Sequence, residues 1–327
     1  MTWLYIVLGA LALAILYVLG GAIYAFHLTF YAPGKKSPVK RSVIKDPEQL
    51  VKSKEAIKVL IDDLERVEFE AVHIRSFDGT MLFARYYHVK DGAPVHIQFH
   101  GYRSYALRDF CGGAKLAMAC GHNVLLVDQR AHTNSEGRVI TFGIKERYDC
   151  LCVANYAYER FGDDVPIFLA GISMGAATVL MASELDLPHT VSGIIADCPF
   201  SSPCDIIKMT ISRVNVPKFV MPYLMTNIGG MLFAGVKISS ASCIKAVQNT
   251  NIPILMFHGT EDTIVPYEMG RKIFDSINSK DKFFYSFEGA DHAMSYVSDP
   301  DKYEKAFCDF TSLCIKNFKN KISEIKE

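Results

Sequence analysis

Net charge is the first thing this 327-residue sequence lacks: 35 basic and 35 acidic side chains cancel. A chain with no positive excess is not built to hold nucleic acid through bulk charge. The marks of a disordered, strongly charged chain are missing too, since half the residues are hydrophobic and 12% are aromatic, ample for a large core. Neither His-Glu-x-x-His nor a paired Cys-x-x-Cys occurs, and Cys150 and Cys152 on one helix point to different faces, so no metal is expected. Gly-x-Gly-x-x-Gly and Walker patterns are also absent, which leaves no nucleotide cofactor to expect. Internal repeats, low-complexity tracts and Asn-x-Ser/Thr acceptors are likewise missing.

The most informative gap is local. Residues 1–32 contain no Lys, Arg, Asp or Glu, and Trp3 to Phe26 is almost continuously apolar. At 1.5 Å per residue that run reaches about 36 Å, enough to cross a hydrocarbon core of roughly 30 Å. It is longer than a signal-peptide core and has no basic residue before it, so it reads as a transmembrane anchor in contact with membrane lipid. Trp3 and Tyr5 at one end, with Tyr24, Phe30 and Tyr31 at the other, suit the two interfaces. Lys35, Lys36, Lys40, Arg41 and Lys45 follow before the first acid, Asp46. By the positive-inside rule this single-pass segment leaves the rest of the chain on the cytoplasmic side. Nine cysteines, an odd number without framework spacing, fit a reducing compartment.

Asp46-Pro47-Glu48-Gln49 has the form of a capping box opening an amphipathic helix through Leu50, Ile57, Leu60, Ile61 and Leu64. Two β-rich runs, Val67–Ser76 and Met81–Val89, then flank the hairpin signal Asp78-Gly79. Six short apolar runs follow at helix-length intervals: Val95–Phe99, Asn123–Val127, Pro166–Ala170, Val191–Ala196, Ile252–Phe257 and Phe283–Phe287. That rhythm predicts an α/β fold with a mostly parallel central sheet and helices on both faces. One interval breaks it. More than fifty residues separate Asp197 from Ile252, too many for a simple crossover, and this stretch reads as a cap over the sheet's C-terminal edge. Its apolar residues Phe219, Met221, Tyr223 and Leu224 are the candidate substrate contacts.

Gly171-Ile172-Ser173-Met174-Gly175 joins a strand to a helix, the context a nucleophile elbow requires. The pattern alone is weak, and its position carries the argument. A serine hydroxyl needs a histidine to take its proton and a carboxylate to hold that histidine. Asp262, just after the strand ending at Phe257, and His292, just after the next strand, fall on loops at the same sheet edge as Ser173. Among competitors, His258 lies at a strand end where it packs or bonds locally, and Glu261, Asp291 and Asp197 are the alternative acids. Negative charge developing on the attacked carbonyl calls for backbone donors. The N–H of Met174 is one, and that of Tyr102, in His100-Gly101-Tyr102-Arg103-Ser104, is the other, with Arg103 as its alternative.

These motifs, with Asp128-Gln129-Arg130 through Gly137 between them, stand in the order found in α/β-hydrolases, and the chain resembles that superfamily over roughly residues 65–320. Within it the chain is similar to membrane-tethered serine aminopeptidase-like and Bem46-like hydrolases. The resemblance implies that the Asp128–Gly137 loop supports the oxyanion loop, with Asp128 and Arg130 structural. Ala131 and Thr133 stand where many members have glycine, which puts that loop's conformation in question. Three parts are expected: residues 1–32 as anchor, 33–65 as basic linker and amphipathic helix, and 66–327 as the hydrolase domain with its cap at about 199–250. The cap carries a net charge of about +4, the run before Asp46 carries +5, and the catalytic body about −9, so neutrality hides two basic zones suited to anionic headgroups. An aminopeptidase would need acids near its cap to hold an ammonium group. The expected activity is therefore cleavage of small-molecule or lipid-like acyl esters. A serine peptidase is the second reading, and a non-catalytic, membrane-anchored binding protein the third.

Overall fold

The computed structural model describes residues 1–32, 54–214 and 221–326. The basic run at 35–45, the capping box at 46–49 and Phe219 lie outside the described residues. Helix α1 (Thr2–Thr29) comes first, 28 residues that include an 18-residue stretch with a mean hydropathy of 2.5. Among the described helices it is the one that is, unbroken, long and apolar enough to cross a membrane. Helix α2 (Lys54–Glu65) leads into the hairpin β1 (Glu70–Arg75) and β2 (Met81–Tyr87), and Gly79 supplies the positive φ of 86° that their tight turn demands.

Thereafter strands and helices alternate. β3 (Val95–Phe99) is followed by α3 (Ala106–Asp109) and α4 (Cys111–Ala119), and β4 (Asn123–Asp128) by α5 (Glu146–Phe161). Next come β5 (Ile167–Ile172), α6 (Met174–Ala182) and β6 (Val191–Asp197). The long insert holds α7 (Pro203–Ser212), α8 (Pro222–Gly229) with a π-helical turn at Gly230–Ala234, and α9 (Cys243–Gln248). The chain closes with β7 (Ile254–Gly259), α10 (Tyr267–Asp275), β8 (Lys282–Phe287), α11 (Ser295–Ser298) and α12 (Pro300–Lys326).

The eight strands form one sheet in the order β1-β2-β4-β3-β5-β6-β7-β8. β1 and β2 are antiparallel, and every pair from β4 to β8 is parallel. Parallel strands need both faces covered, and the sequence supplies this: β3, β4 and β7 are buried at every position. One face packs on Val153, Ala154 and Ala157 of α5 and on all of α6. The other packs on Leu64 of α2, Ala114 of α4, and Tyr303, Phe307 and Phe310 of α12, whose three- and four-residue spacing puts them on one face of that helix. Because the central strands run the same way, the loops after β3, β5, β7 and β8 meet at one edge, where open α/β sheets hold their ligands.

Candidate active site

Ser173 sits at the turn between β5 and α6 with φ 56° and ψ −113°, a left-handed conformation a serine holds only when its surroundings force it. Its N–H donates to the Asp197 carbonyl at 2.8 Å and its own carbonyl accepts from Ala177, so strand and helix pin it from both sides. The turn is tight enough that a Cβ on Gly175 would stand 1.7 Å from the Phe99 carbonyl oxygen. Small residues around the serine are thus a steric requirement of placing a helix directly over β3.

His292 lies after β8 and Asp262 after β7. These two loops touch closely, since a Cβ on Gly259 would lie 2.2 Å from the Ala290 carbonyl oxygen. The approach brings His292 Nδ1 to 2.8 Å from Asp262 Oδ2, while His292 Nε2 stands 2.9 Å from Ser173 Oγ. Asp262 is buried, and its other oxygen accepts the backbone N–H groups of Ile264 (2.9 Å) and Val265 (2.7 Å). Burial opposes its charge, but the imidazoles of His292 and His258 more than offset this and hold the carboxyl below the usual range. Burial likewise opposes protonation of His292, yet the charge and hydrogen bond of Asp262 prevail, with smaller help from Asp197 and Asp109, and raise its pKa above 6.5.

The competitors are placed elsewhere. His258 is fully buried, with Nε2 at 3.0 Å from the Val265 carbonyl, and so bonds locally, while also flanking Asp262 at 3.3 Å. Asp291 accepts from Thr263 and from the backbone of His292, not from its ring. Asp197 takes the Ser295 hydroxyl at 2.8 Å, and burial raises its pKa to about 6. Glu261 is exposed. Cys198, Asp262 and His292 have ligand atoms within 4.8 Å of one another. Burial keeps the Cys198 thiol well above its usual range, and the other two are engaged in the hydrogen-bonded chain to Ser173, so this is a poor donor set for a metal.

The loop after β3 runs against Ser173. Among the described residues, the backbone N–H groups of Tyr102 and Met174 meet no protein acceptor, whereas that of Arg103 donates to His132 Nε2 at 3.0 Å. Hydrogen bonding thus leaves the Tyr102 N–H open and engages that of Arg103. Asp109 fixes this loop by accepting from the Gly101 N–H (2.7 Å) and the Ser104 hydroxyl (2.5 Å). Nothing in the sequence marks Asp109, an ordinary acid on a short helix.

The Asp128–Gly137 loop supports the same region. Gln129 bonds to His100 through both its side chain and its backbone, and His132 holds Arg103. Ala131 and Thr133 themselves adopt the left-handed backbone that glycine takes most readily, with φ 63° and 38°. Arg130 is buried and paired with Asp149 and Asp78, and Asp128 caps Asn134, so both are structural staples.

Above Ser173 lies an apolar cavity of about 260 Å³. α7 contributes Ile206, Ile207 and Ile211, α8 contributes Pro222, Met225 and Thr226, and α1 supplies a further wall. Met221, Tyr223 and Leu224 do not line it. Met221 and Leu224 are 46% and 44% exposed, and the Tyr223 hydroxyl meets Cys204 Sγ at 3.1 Å. Pro222 starts α8 after Met221, and the helical period then turns 222, 225, 226 and 229 inward and leaves 221 and 224 outside. Apolarity located the segment, but not which of its faces meets the cavity.

Residues 94–224 and 224–299 match the family of serine aminopeptidases, S33 (Hydrolase_4). The chain belongs to this family. It is a serine hydrolase of the α/β-hydrolase fold. Similar relatives include the uncharacterized protein YqkD of Bacillus subtilis, 25% identical over 60% of this chain and 64% of its own length. Lysophosphatidylserine lipase ABHD12 of Macaca fascicularis is 24% identical over 53% of this chain and 42% of its own. The chain thus spans less than two thirds of the length of either relative. Monoglyceride lipase of Rattus norvegicus is 24% identical over 68% of this chain and 83% of its own length. Among solved structures, the esterase Pf2001 of Pyrococcus furiosus superposes with a TM-score of 0.60 at 20% identity, covering 77% of this chain and 94% of its own, a likeness of fold.

Proposed function

We propose that this protein cleaves acyl esters through a covalent acyl-enzyme on Ser173. The single observation that carries this reading is the hydrogen-bonded chain Ser173–His292–Asp262 opening onto an apolar cavity. His292 takes the proton of Ser173 as the hydroxyl attacks the ester carbonyl, and Asp262 holds the ring and stabilises the imidazolium. The Tyr102 and Met174 N–H groups receive the oxyanion. His292 then protonates the leaving alcohol, and water, activated by the same histidine, releases the acid and restores the serine.

The substrate is a lipid-like acyl ester. Supporting this are the apolar lining, the lipase relatives, and the basic residues Lys208, Arg213, Lys237 and Lys245 of the insert, which suit an anionic head. α1 serves as a single-pass anchor of the hydrolase body, residues 66–327, with its cap at about 199–250. The basic run after Ala32 favours the cytoplasmic side for that body.

The family's description favours a second reading, aminopeptidase activity. It would require a carboxylate to receive the substrate ammonium, and among the described residues none lines the cavity. The two readings separate on matched substrates in detergent. The ester reading expects kcat/KM for an acyl p-nitrophenyl ester to exceed that for an aminoacyl p-nitroanilide of similar size by at least about 10²-fold, more than leaving-group chemistry alone gives when compared with a reference esterase. Faster anilide cleavage overturns it.

A further inference from the structure

The N-terminal helix is built into the body of the enzyme at the lip of the active site. Phe26 packs on Phe233 with ring centroids 5.5 Å apart, and a Cβ on Gly229 of α8 would stand 2.5 Å from the Ala22 carbonyl oxygen, so the backbones of α1 and α8 meet with no room for a side chain between them. Beyond the helix end, Ala32 N–H bonds to the Arg138 carbonyl and Ile140 N–H to that of Phe30, both at 2.8 Å. Most telling are the side chains of the oxyanion loop. The Tyr102 hydroxyl donates to the Thr29 carbonyl at 2.8 Å, and the Arg103 guanidinium donates to the carbonyls of Leu28 (2.9 Å) and Tyr31 (3.0 Å). A cation on the final carbonyls of a helix is favoured by the helix dipole as well as by the bonds themselves. The helix end and the loop that faces Ser173 are therefore one rigid unit.

The same helix forms a wall of the cavity above Ser173 through Gly21, Tyr24, Ala25, Leu28 and Thr29. From Thr29 back to Gly21 this wall extends about 12 Å at 1.5 Å per residue. Tyr24 and Leu28 line the cavity and are also 68% and 45% exposed, on a helix whose outer face is apolar along its length. The cavity thus reaches the side of α1 that lipid would cover.

We propose that α1 is the acyl-chain wall of the active site. A single long acyl chain, drawn sideways from the lipid phase, lies between α1 and the helices α7 and α8, its carbonyl at Ser173 and its tail running past Ala25 toward Gly21. This rests on the acyl-ester reading above. It makes α1 a determinant of chain-length selectivity, beyond its role as an anchor. Ala25, half-buried and without a side chain beyond Cβ, leaves the width the tail occupies.

The test uses the full-length protein in phosphatidylcholine vesicles, with rates normalised to active sites titrated by a fluorophosphonate. The quantity read is the ratio of kcat/KM for p-nitrophenyl dodecanoate to that for p-nitrophenyl acetate. Ala25→Phe is expected to lower the ratio at least tenfold and Ala25→Val by an intermediate amount, which also keeps the test open if phenylalanine is not accommodated. Leu13→Phe, on the outer surface of α1 where Leu13 is 69% exposed, leaves the ratio as in the wild type. An unchanged ratio in both Ala25 variants overturns the wall. Loss of both esters in the wild-type protein, or acetate cleavage that survives Ser173→Ala, overturns the acyl-ester reading itself, a distinct result.

Discussion

Asp262→Asn lowers kcat/KM on acyl esters by about 10⁴-fold, with the protein still folded. The reason lies in which atom the new amide must turn toward His292. One oxygen of Asp262 is held by the N–H groups of Ile264 and Val265. An asparagine satisfies these donors only with its carbonyl oxygen, which leaves its NH₂ facing His292 Nδ1. The ring then accepts at Nδ1 and carries its proton on Nε2, the nitrogen 2.9 Å from Ser173 Oγ, and a protonated Nε2 cannot take the serine proton. The pH profile gives a second signature. The imidazole acts as a base only when neutral and its pKa is raised, so wild-type kcat/KM rises with pH through an inflection above 6.5. Without the Asp262 charge the protonated ring loses its main support, and the inflection of the residual activity moves down. Steady-state kinetics between pH 5 and 9 on both proteins check the two effects together, and an unmoved inflection removes Asp262 from the account.

The second large effect is structural. Gly175→Ala places a Cβ 1.7 Å from the Phe99 carbonyl oxygen and 2.8 Å from that of His100, both backbone atoms with no rotamer to yield. Either α6 lifts from β3 or the elbow opens, at a cost of about 3 kcal/mol or more by the standard of overpacked cores. Thermal unfolding is expected to shift down by several degrees, with fluorophosphonate labelling slowed or lost because Ser173 no longer meets His292. A variant as stable and as quickly labelled as the wild type would mean that helix and strand are not in contact here.

How far the sequence reaches differs from part to part. Each predicted strand from Val95 onward overlaps an observed one, because buried parallel strands are short apolar runs with turn residues at both ends. Ser173, Asp262 and His292 were legible because strand, turn and chain order all pointed to one sheet edge, and their side chains do meet there. Helices α3 and α4 left little trace, since Gly112-Gly113 interrupts any helical pattern. The inward face of α8 was not legible, because helical phase depends on where the helix starts, and it starts at Pro222, after a left-handed Met221. Least legible was the part α1 plays. A 28-residue apolar helix looks the same to periodicity whether all of it faces lipid or one stripe of it closes a pocket, and only packing against Met225 and Gly229 distinguishes them. The side chains of Tyr102 and Arg103 were hidden for the same reason, since their partners are backbone carbonyls distant in sequence. Asp109 was hidden because its nearby partners, the Gly101 N–H and the Ser104 hydroxyl, follow no sequence pattern.

The central claim is that Ser173 carries the acyl group. The most direct measurement treats purified full-length protein with a fluorophosphonate, maps the adduct by peptide mass spectrometry, and records ester turnover for the wild type and Ser173→Ala. One adduct is expected, on the peptide bearing Ser173, with adduct and turnover both lost in Ser173→Ala and thermal unfolding unchanged. An adduct on another residue, or ester turnover that survives the substitution, contradicts it.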